Sequence, residues 1–465
     1  MRSQSAEQHG PNSMTENEVS AFLKRYPKVT TIELLISDLN GVLRGKRIER
    51  NLLEKVVTQG FYLPGSVMSL DATGTTVESA GLGVDVGDRD QRCRLIPETL
   101  AIVPWIEDGS RAQALCTMVD DNDEPFFSDP RQILCNALER FNKLNYQVGF
   151  AAELEFYLVD MDRDAQGGLR PPASSTTGRR MGSCQVYSID DLNEYDAFIQ
   201  DVLQAARAQN IPADTVIAEY APGQFEVNLH HSDNIVRSVD HAILLKRVIR
   251  HVARKHGMEA TFMAKPYIEE SGNGLHMHLS LMQDGKNVLA ADNPVDNPIM
   301  RNMVAGLLSM ADSTQAFMAP NINSYRRLAP GAFAPTAKNW GYDNRTVALR
   351  IPSGSKAATR IEHRMAGADA NPYLVATAVI AGVTEGIQHR MEPSAPVTGN
   401  AYDQEHPHVA DNLRDALRNM KKDVRVADWF GESFVKVYQA CKWHDLHLFE
   451  QQITQLEYDL LLGYA

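Results

Sequence analysis

Three short segments of this chain place charged or imidazole groups on alternate residues inside otherwise apolar runs: Glu153-Leu154-Glu155, His276-Met277-His278 and Arg360-Ile361-Glu362-His363-Arg364. Side chains at i, i+2 and i+4 of a β-strand leave the same face, so each segment can hold two or three polar groups over one cavity. A buried carboxylate without a partner loses its hydration at large cost, so such strands are stable only where opposite charge meets them. The wall of an active site is such a place, and it requires a sheet that gathers three distant segments.

The chain has 465 residues, 43% of them hydrophobic, enough for two or more domains with a large core. Its 46 Lys and Arg against 59 Asp and Glu leave a net charge of -13, which argues against a nucleic acid or an anionic membrane as principal partner. Five cysteines, Cys93, Cys116, Cys135, Cys184 and Cys441, are scattered and odd in number, so free thiols are expected rather than a disulfide framework or a zinc site. The first twenty residues lack an apolar run behind a basic start, and no later run approaches the length of a membrane span. A cytoplasmic protein is expected.

Residues 1–20 read as a loose tail, 21–126 as a small β-rich domain and 127–465 as a larger domain of strands and helices. In the first domain, 30–38 predicts a buried strand that turns at Asn40-Gly41 into a second strand over 42–48. Further strands are predicted at 101–105 and 114–119. Asp129-Pro130 is a helix start, and the helix leads into a strand over 148–159. A long loop is expected at 162–182, helices at 194–209, 239–255 and 371–385, and a helical segment from 406 onward.

Glu219 and Glu226 flank the turn at Pro222-Gly223 and add two carboxylates, while Gly272 and Gly274 precede a strand on which His276, His278 and Ser280 share a face. The candidate ligands Glu153, Glu155, Glu219, Glu226, Glu362 and one or two histidines offer mostly carboxylate oxygen, little imidazole and no thiolate. That set favours Mg²⁺ or Mn²⁺ over zinc or copper, and two ions suit its charge. Against it stand Arg326, Arg327, Arg345, Arg350, Arg360 and Arg364. Guanidinium forks match carboxylate and phosphate oxygens, and phosphoryl transfer is catalysed largely by positioning and by neutralising negative charge. Nucleotide-driven chemistry follows, without the G-x-x-x-x-G-K-[ST] loop that would make this a P-loop enzyme.

Taken in order, Glu153-x-Glu155, the 219–226 turn, His276-x-His278-x-Ser280, the 323–331 segment, Asn344-Arg345-Thr346 to Arg350-Ile351-Pro352, and Arg360-Ile361-Glu362-x-Arg364 with Ala370-Asn371-Pro372-Tyr373 resemble the glutamine synthetase superfamily over almost the whole chain. Segments 38–41, 44–48 and 264–267 resemble its γ-glutamylpolyamine synthetase branch, typified by the γ-glutamylputrescine synthetases. The resemblance implies an α+β fold, with an N-terminal β-grasp domain and a large catalytic domain built as an open α/β barrel. It implies self-association into a hexameric ring or a dodecamer, with active sites between subunits.

By the same resemblance, Glu155, Glu219 and Glu226 hold one metal, and Glu153, His276 and Glu362 the other. Gly272, Arg327 and Arg364 bind L-glutamate, while His278, Ser280, Arg345, Arg350 and Arg360 handle ATP, Arg345 as a catalytic group. Asp71 is the amine-binding and proton-accepting aspartate supplied by the adjacent subunit. Ammonia-using members carry a glutamate where this chain has Phe333, which cannot take a proton but whose ring face attracts an alkylammonium modestly. The implied activity is an ATP-dependent ligation of glutamate to a primary amine or polyamine through γ-glutamyl phosphate, as in putrescine catabolism. Alternatives are ammonia-dependent glutamine synthesis, ligation of monoamines or aromatic amines, and, in another class, a metal-dependent hydrolase. Tyr402 reads as an ordinary surface tyrosine.

Overall fold

The hairpin expected at 30–48 forms in the computed structural model, which describes residues 16–183 and 185–464. Thr31–Ser37, buried at six of its seven positions, pairs antiparallel with Leu43–Glu49. Asp38 closes the turn between them. Its carboxylate accepts the amides of Asn40 and Val42 and the Arg44 Nε, each at 2.9 Å, while Gly41 takes the positive φ of 73° that the turn demands. Thr31–Ser37 also pairs in parallel with Arg111–Val119, which continues through Asp90–Leu95 to Phe61–Pro64. Leu53 and Val56 of the helix Leu53–Gln59 share this sheet's core with Ile32, Leu34 and Met118, a β-grasp arrangement.

Two expectations fail in this half, and a helix appears that the reading of a β-rich domain did not include. Residues 53–59 are a helix although Val56, Val57 and Thr58 favour strand, because one turn of helix puts Leu53 and Val56 on the same buried stripe. The strand over 101–105 shrinks to Ala101–Ile102, since Pro104 has no N–H to donate to a ladder. A helix, Glu16–Arg25, begins inside the span expected to be a loose tail; the rest of that tail, 1–15, lies outside the described residues, as does Cys184. The other four cysteines are free and at least half-buried.

Asp129 caps the helix Pro130–Asn142, accepting the Arg131 amide at 2.9 Å. The chain then enters Gln147–Asp160, the middle of a nine-stranded sheet. On one side of it lie Leu275–Gln283, Ile361–His363, Leu349–Ile351 and Trp340–Tyr342; on the other lie Gln224–Leu229 and Ala213–Ala218. The two edge strands do not meet, so the sheet is an open barrel. Helices Ile235–Lys255, Pro298–Met318 and Pro372–Gln388 contribute to the core behind it. The helix expected at 194–209 forms as Asp196–Ala208, and Tyr195 parts it from a short preceding helix, Ile189–Glu194. There the tyrosine ring packs edge-on against Phe225 and its hydroxyl donates to the Pro172 carbonyl at 3.1 Å, which outweighs continuing the helix. Among the described residues no helix is long and apolar enough to cross a membrane.

The N-terminal sheet is tied to the barrel by polar side chains. Asn371 donates to the Asp38 carbonyl at 2.9 Å, and the buried Lys442 reaches Asn40 Oδ1 at 2.6 Å and Asp445 Oδ2 at 2.9 Å. Asp445 in turn accepts the Ala72 amide at 2.8 Å, so the turn at Asp38 and the loop carrying Asp71 are held against the helix Glu432–Glu450.

Pro298–Met318 and Pro372–Gln388 approach closely at glycines: a Cβ on Gly306 would stand 2.0 Å from the Gly382 carbonyl oxygen and 2.5 Å from the Gly386 nitrogen. Helix propensity alone favours Gly306→Ala by about 1 kcal/mol. Backbone atoms cannot step aside, however, so we predict the opposite sign, a net loss of roughly 1–3 kcal/mol from overpacking. Thermal or urea unfolding checks this, and an unchanged or raised midpoint would show that the helices can spread freely.

Candidate active site

Residues directly opposite each other across antiparallel strands project to the same face, and the register here gathers the expected groups. Glu153 lies opposite His276 and Asn228, Glu155 opposite Glu226, and His278 opposite Glu362, which is itself opposite Arg350. Glu219 joins from the end of Ala213–Ala218. Ser280 falls opposite Gly149, where a Cβ would stand 2.5 Å from the serine Oγ; the glycine makes room for that hydroxyl.

Glu155, Glu219 and Glu226 bring a carboxylate oxygen each within 4.8 Å of one another. Burial and the neighbouring Glu155 charge push Glu219 up to about 8, although Arg345 pulls the other way. Burial and the charges of Glu153, Glu155 and Glu219 raise Glu226 well above the ordinary glutamate value. Carboxyls that retain protons beside other carboxyls mark a place short of positive charge, and an all-oxygen set of this kind fits a hard divalent cation. Two donors already orient the cluster: the Gly274 amide to Glu155 at 2.6 Å and Asn228 Nδ2 to Glu226 at 3.1 Å.

Glu153 lies between two imidazoles, with His278 Nε2 at 2.8 Å and His276 Nδ1 at 3.3 Å. Burial works to raise its carboxyl, but the histidines outweigh burial and hold it well below the usual range. Two further groups can share an ion, Glu153 with Glu226 and His276, and Glu153 with His278 and Glu362. The histidines are not equivalent. His278 Nδ1 accepts from Arg360 Nε at 3.1 Å, which leaves the ring proton on Nε2. His276 faces carboxylate oxygens from both ring nitrogens, Glu362 at 3.8 Å and Glu155 at 4.0 Å being the more distant.

Glu362, 2% exposed, is gripped by Arg364 on one oxygen and by Arg350 Nη1 at 2.9 Å on the other. Burial opposes ionisation, yet Arg364 and the histidines draw the carboxyl down to about 2. Arg350 also binds Asp343 at 2.6 Å. The buried Arg327 donates to the carbonyls of Met365 and Arg364 at 3.1 and 3.2 Å. A Cβ on Gly272 would meet Arg327 Cγ at 2.7 Å, and one on Gly274 would meet Arg327 Nη2 at 2.9 Å; only glycines let this loop close on the guanidinium. The Nε atoms of Arg350 and Arg364 are buried without a hydrogen-bond partner, as expected of donors awaiting an anionic ligand. Arg326 and Arg345 are exposed.

Phe333 sits above this face at a positive φ of 51°, its carbonyl accepting from Arg364 Nη2 at 3.0 Å and its ring stacked on Tyr220, 5.2 Å between centroids. Asp71 is placed elsewhere. Its carboxylate accepts from Thr73 and Thr75 and lies 3.4 Å from His444 Nε2, and among the described residues its contacts do not include the acidic face of its own chain. Burial would raise its carboxyl, but those hydrogen bonds hold it below the ordinary value.

Several site residues escaped sequence reasoning. Asn228 follows Glu226 by two, so extending the alternate-residue rule finds it. Gln224, which donates to the Gly272 carbonyl at 3.0 Å and to Asn273 at 3.1 Å, and Tyr220 leave no periodic signal. Tyr402 is half-buried, not an ordinary surface residue, and its hydroxyl donates to the Ala334 carbonyl at 3.0 Å.

Residues 127–461 match the family described as glutamine synthetase, catalytic domain. The chain is 42% identical to γ-glutamylputrescine synthetase PuuA of Escherichia coli (strain K12), over 99% of this chain and 97% of that protein. It is 34% identical to the glutamate–isopropylamine ligase of a Pseudomonas species, over 91% and 93% of the two chains. A GmaS–ADP complex superposes with a TM-score of 0.84 at 26% identity, covering 96% of this chain and 99% of that one.

Proposed function

The chain belongs to the glutamine synthetase family, ATP-dependent carbon–nitrogen ligases that use divalent metals, and we propose that this member joins the γ-carboxyl of L-glutamate to a putrescine-like primary amine. One observation carries the reading: a single sheet face sets an oxygen-rich acidic cluster beside buried, partly unpartnered guanidinium groups, under the segment 323–335, the counterpart of the family's flap, which offers an aromatic ring instead of a carboxylate.

In this reading Glu155, Glu219 and Glu226 hold one Mg²⁺ or Mn²⁺ and Glu153, His276 and Glu362 hold a second. Bound there, the ions would withdraw charge from the phosphoryl group in transit. Arg345, Arg350 and Arg360 neutralise the ATP phosphates, with His278 held in one tautomer by Arg360 and Ser280 beside it. Arg327, Arg364 and the Gly272 loop orient glutamate. A carboxylate is a poor electrophile, so a γ-carboxylate oxygen first attacks the γ-phosphorus, the bond to ADP breaks, and γ-glutamyl phosphate forms. The alkylammonium then passes a proton to the carboxylate of Asp71 from the adjacent subunit, its nitrogen attacks the acyl carbon, and the bond from that carbon to the phosphate oxygen breaks as phosphate leaves.

Asp71, which the family's ring assembly would bring from a neighbouring subunit of a hexamer or dodecamer, is held ionised by its threonine partners. It is therefore suited first to binding the alkylammonium charge. The Phe333–Tyr220 pair offers the methylenes an apolar surface.

Phosphate release with glutamate, ATP and Mg²⁺ across putrescine, isopropylamine, ethanolamine and ammonia tests the reading. Putrescine is expected to be fastest; silence with every amine sinks the ligase, and preference for ammonia makes it a glutamine synthetase. Phe333→Glu should move the ammonia-to-putrescine ratio toward ammonia by about tenfold, roughly 1.4 kcal/mol of differential binding. An unmoved ratio would mean that Phe333 does not face the amine.

A further inference from the structure

The 323–335 flap is held by two successive carbonyls. That of Phe333 accepts from Arg364 Nη2 at 3.0 Å, and that of Ala334 accepts from the Tyr402 hydroxyl, also at 3.0 Å. Arg364 belongs to the sheet face that orients glutamate, so its grip reports on substrate. Tyr402 comes from a different part of the chain. Burial raises its hydroxyl above the ordinary tyrosine value despite the nearby Arg364 and Arg327, so it remains a donor.

The loop that presents Tyr402 is itself fixed. Asn400 accepts the Tyr402 amide at 3.2 Å, the Ala401 amide donates to Thr346 Oγ1 at 3.0 Å, and Asn344 Nδ2 donates to the Gly399 carbonyl at 2.8 Å. Asn344 and Thr346 flank Arg345. The tyrosine therefore links the phosphate-side segment to the flap. The first of the two held carbonyls belongs to Phe333, a non-glycine residue at positive φ and 40% exposed, with its ring over Tyr220, a conformation that persists only when its surroundings impose it.

We propose that Tyr402 is the latch of the flap, a positioning residue whose hydroxyl, bonded to the Ala334 carbonyl, keeps water from γ-glutamyl phosphate until the amine arrives. The inference rests on the ligase reading above. With the latch loose, water replaces the amine: its oxygen attacks the acyl carbon, the bond from that carbon to the phosphate oxygen breaks, glutamate and inorganic phosphate leave, and a proton goes to solvent. ATP is then consumed without amide formation.

Tyr402→Phe removes one oxygen and keeps the ring. In that variant the phosphate released per amide formed should rise severalfold over wild type, and amide hydrogens of 329–336 should exchange severalfold faster, with the melting temperature unchanged. A merely structural tyrosine would lower the melting temperature and leave the stoichiometry alone. Wild-type stoichiometry overturns the latch, whether exchange stays slow or quickens, because a flap that opens without admitting water guards nothing. If the wild-type enzyme releases no phosphate with any amine, the ligase reading falls, and the exchange rate alone decides whether Tyr402 holds the flap.

Discussion

Glu226→Gln should lower amide synthesis on the order of 10²–10³-fold and, in the same protein stripped of metal, raise the melting temperature. Both effects have one cause. Glu226 is buried, with like charges on Glu153, Glu155 and Glu219 close enough to raise its carboxyl well above the ordinary value. Glutamine keeps the shape and can still accept from Asn228, but it is neutral without having to take up the proton that the raised Glu226 carboxyl must bind whenever no cation is present. Active sites commonly hold such strain at the expense of stability.

Mg²⁺ should therefore raise the melting temperature of the wild type, since a ligand that binds only the folded state stabilises it, and raise that of the variant much less. Calorimetry with EDTA and with Mg²⁺ reads both quantities. Equal metal-induced shifts in the two proteins would remove Glu226 from the metal site, and a less stable metal-free variant would show that the crowding is compensated by something other than a cation.

What could be read from the chain itself follows from the period of a strand. Because side chains alternate, Glu153 and Glu155, and likewise His276 and His278, had to share faces once they were strands, and pairing in register brought those faces to Glu226 and Glu362; Arg360 and Arg364 fall just outside the short strand Ile361–His363. The helix cap at Asp129 was equally legible, since it acts through a bond to the amide two residues away. Contacts across the fold were not. Which nitrogen of His278 carries its proton turns on the Arg360 hydrogen bond to the other, which spacing cannot encode.

Asp71 was expected at the site of an adjacent subunit, and within one chain its carboxylate is engaged by its own loop and by His444. Tyr402 looked superficial because the carbonyl it serves lies 68 residues earlier. The helix at 53–59 was hidden for the opposite reason: β-branched residues signalled strand locally, and burial of Leu53 and Val56 overruled them.

Arg364→Lys should cut kcat/KM for glutamate by about 10³-fold, roughly 4 kcal/mol of transition-state binding, while leaving the protein folded. Arg364 is 3% exposed and divides its fork three ways: one Nη to Glu362, the other to the Phe333 carbonyl, and a buried Nε with no partner. Lysine supplies the charge but only a single nitrogen, so it can hold Glu362 or the flap, not both while also reaching a substrate carboxylate. The variant should also release more phosphate per amide, because the Phe333 carbonyl loses its donor.

Arg364→Met separates charge from geometry. With Arg364 gone, Glu362 keeps Arg350 and the more distant His276, and removing one partner from a buried pair typically costs about 3–5 kcal/mol. The methionine variant should lose stability as well as activity, and the lysine variant activity alone. If the lysine enzyme binds glutamate as tightly as wild type, the substrate's carboxylate must be held by Arg327 instead, and Arg364 is left with the structural task of neutralising Glu362 beneath the flap.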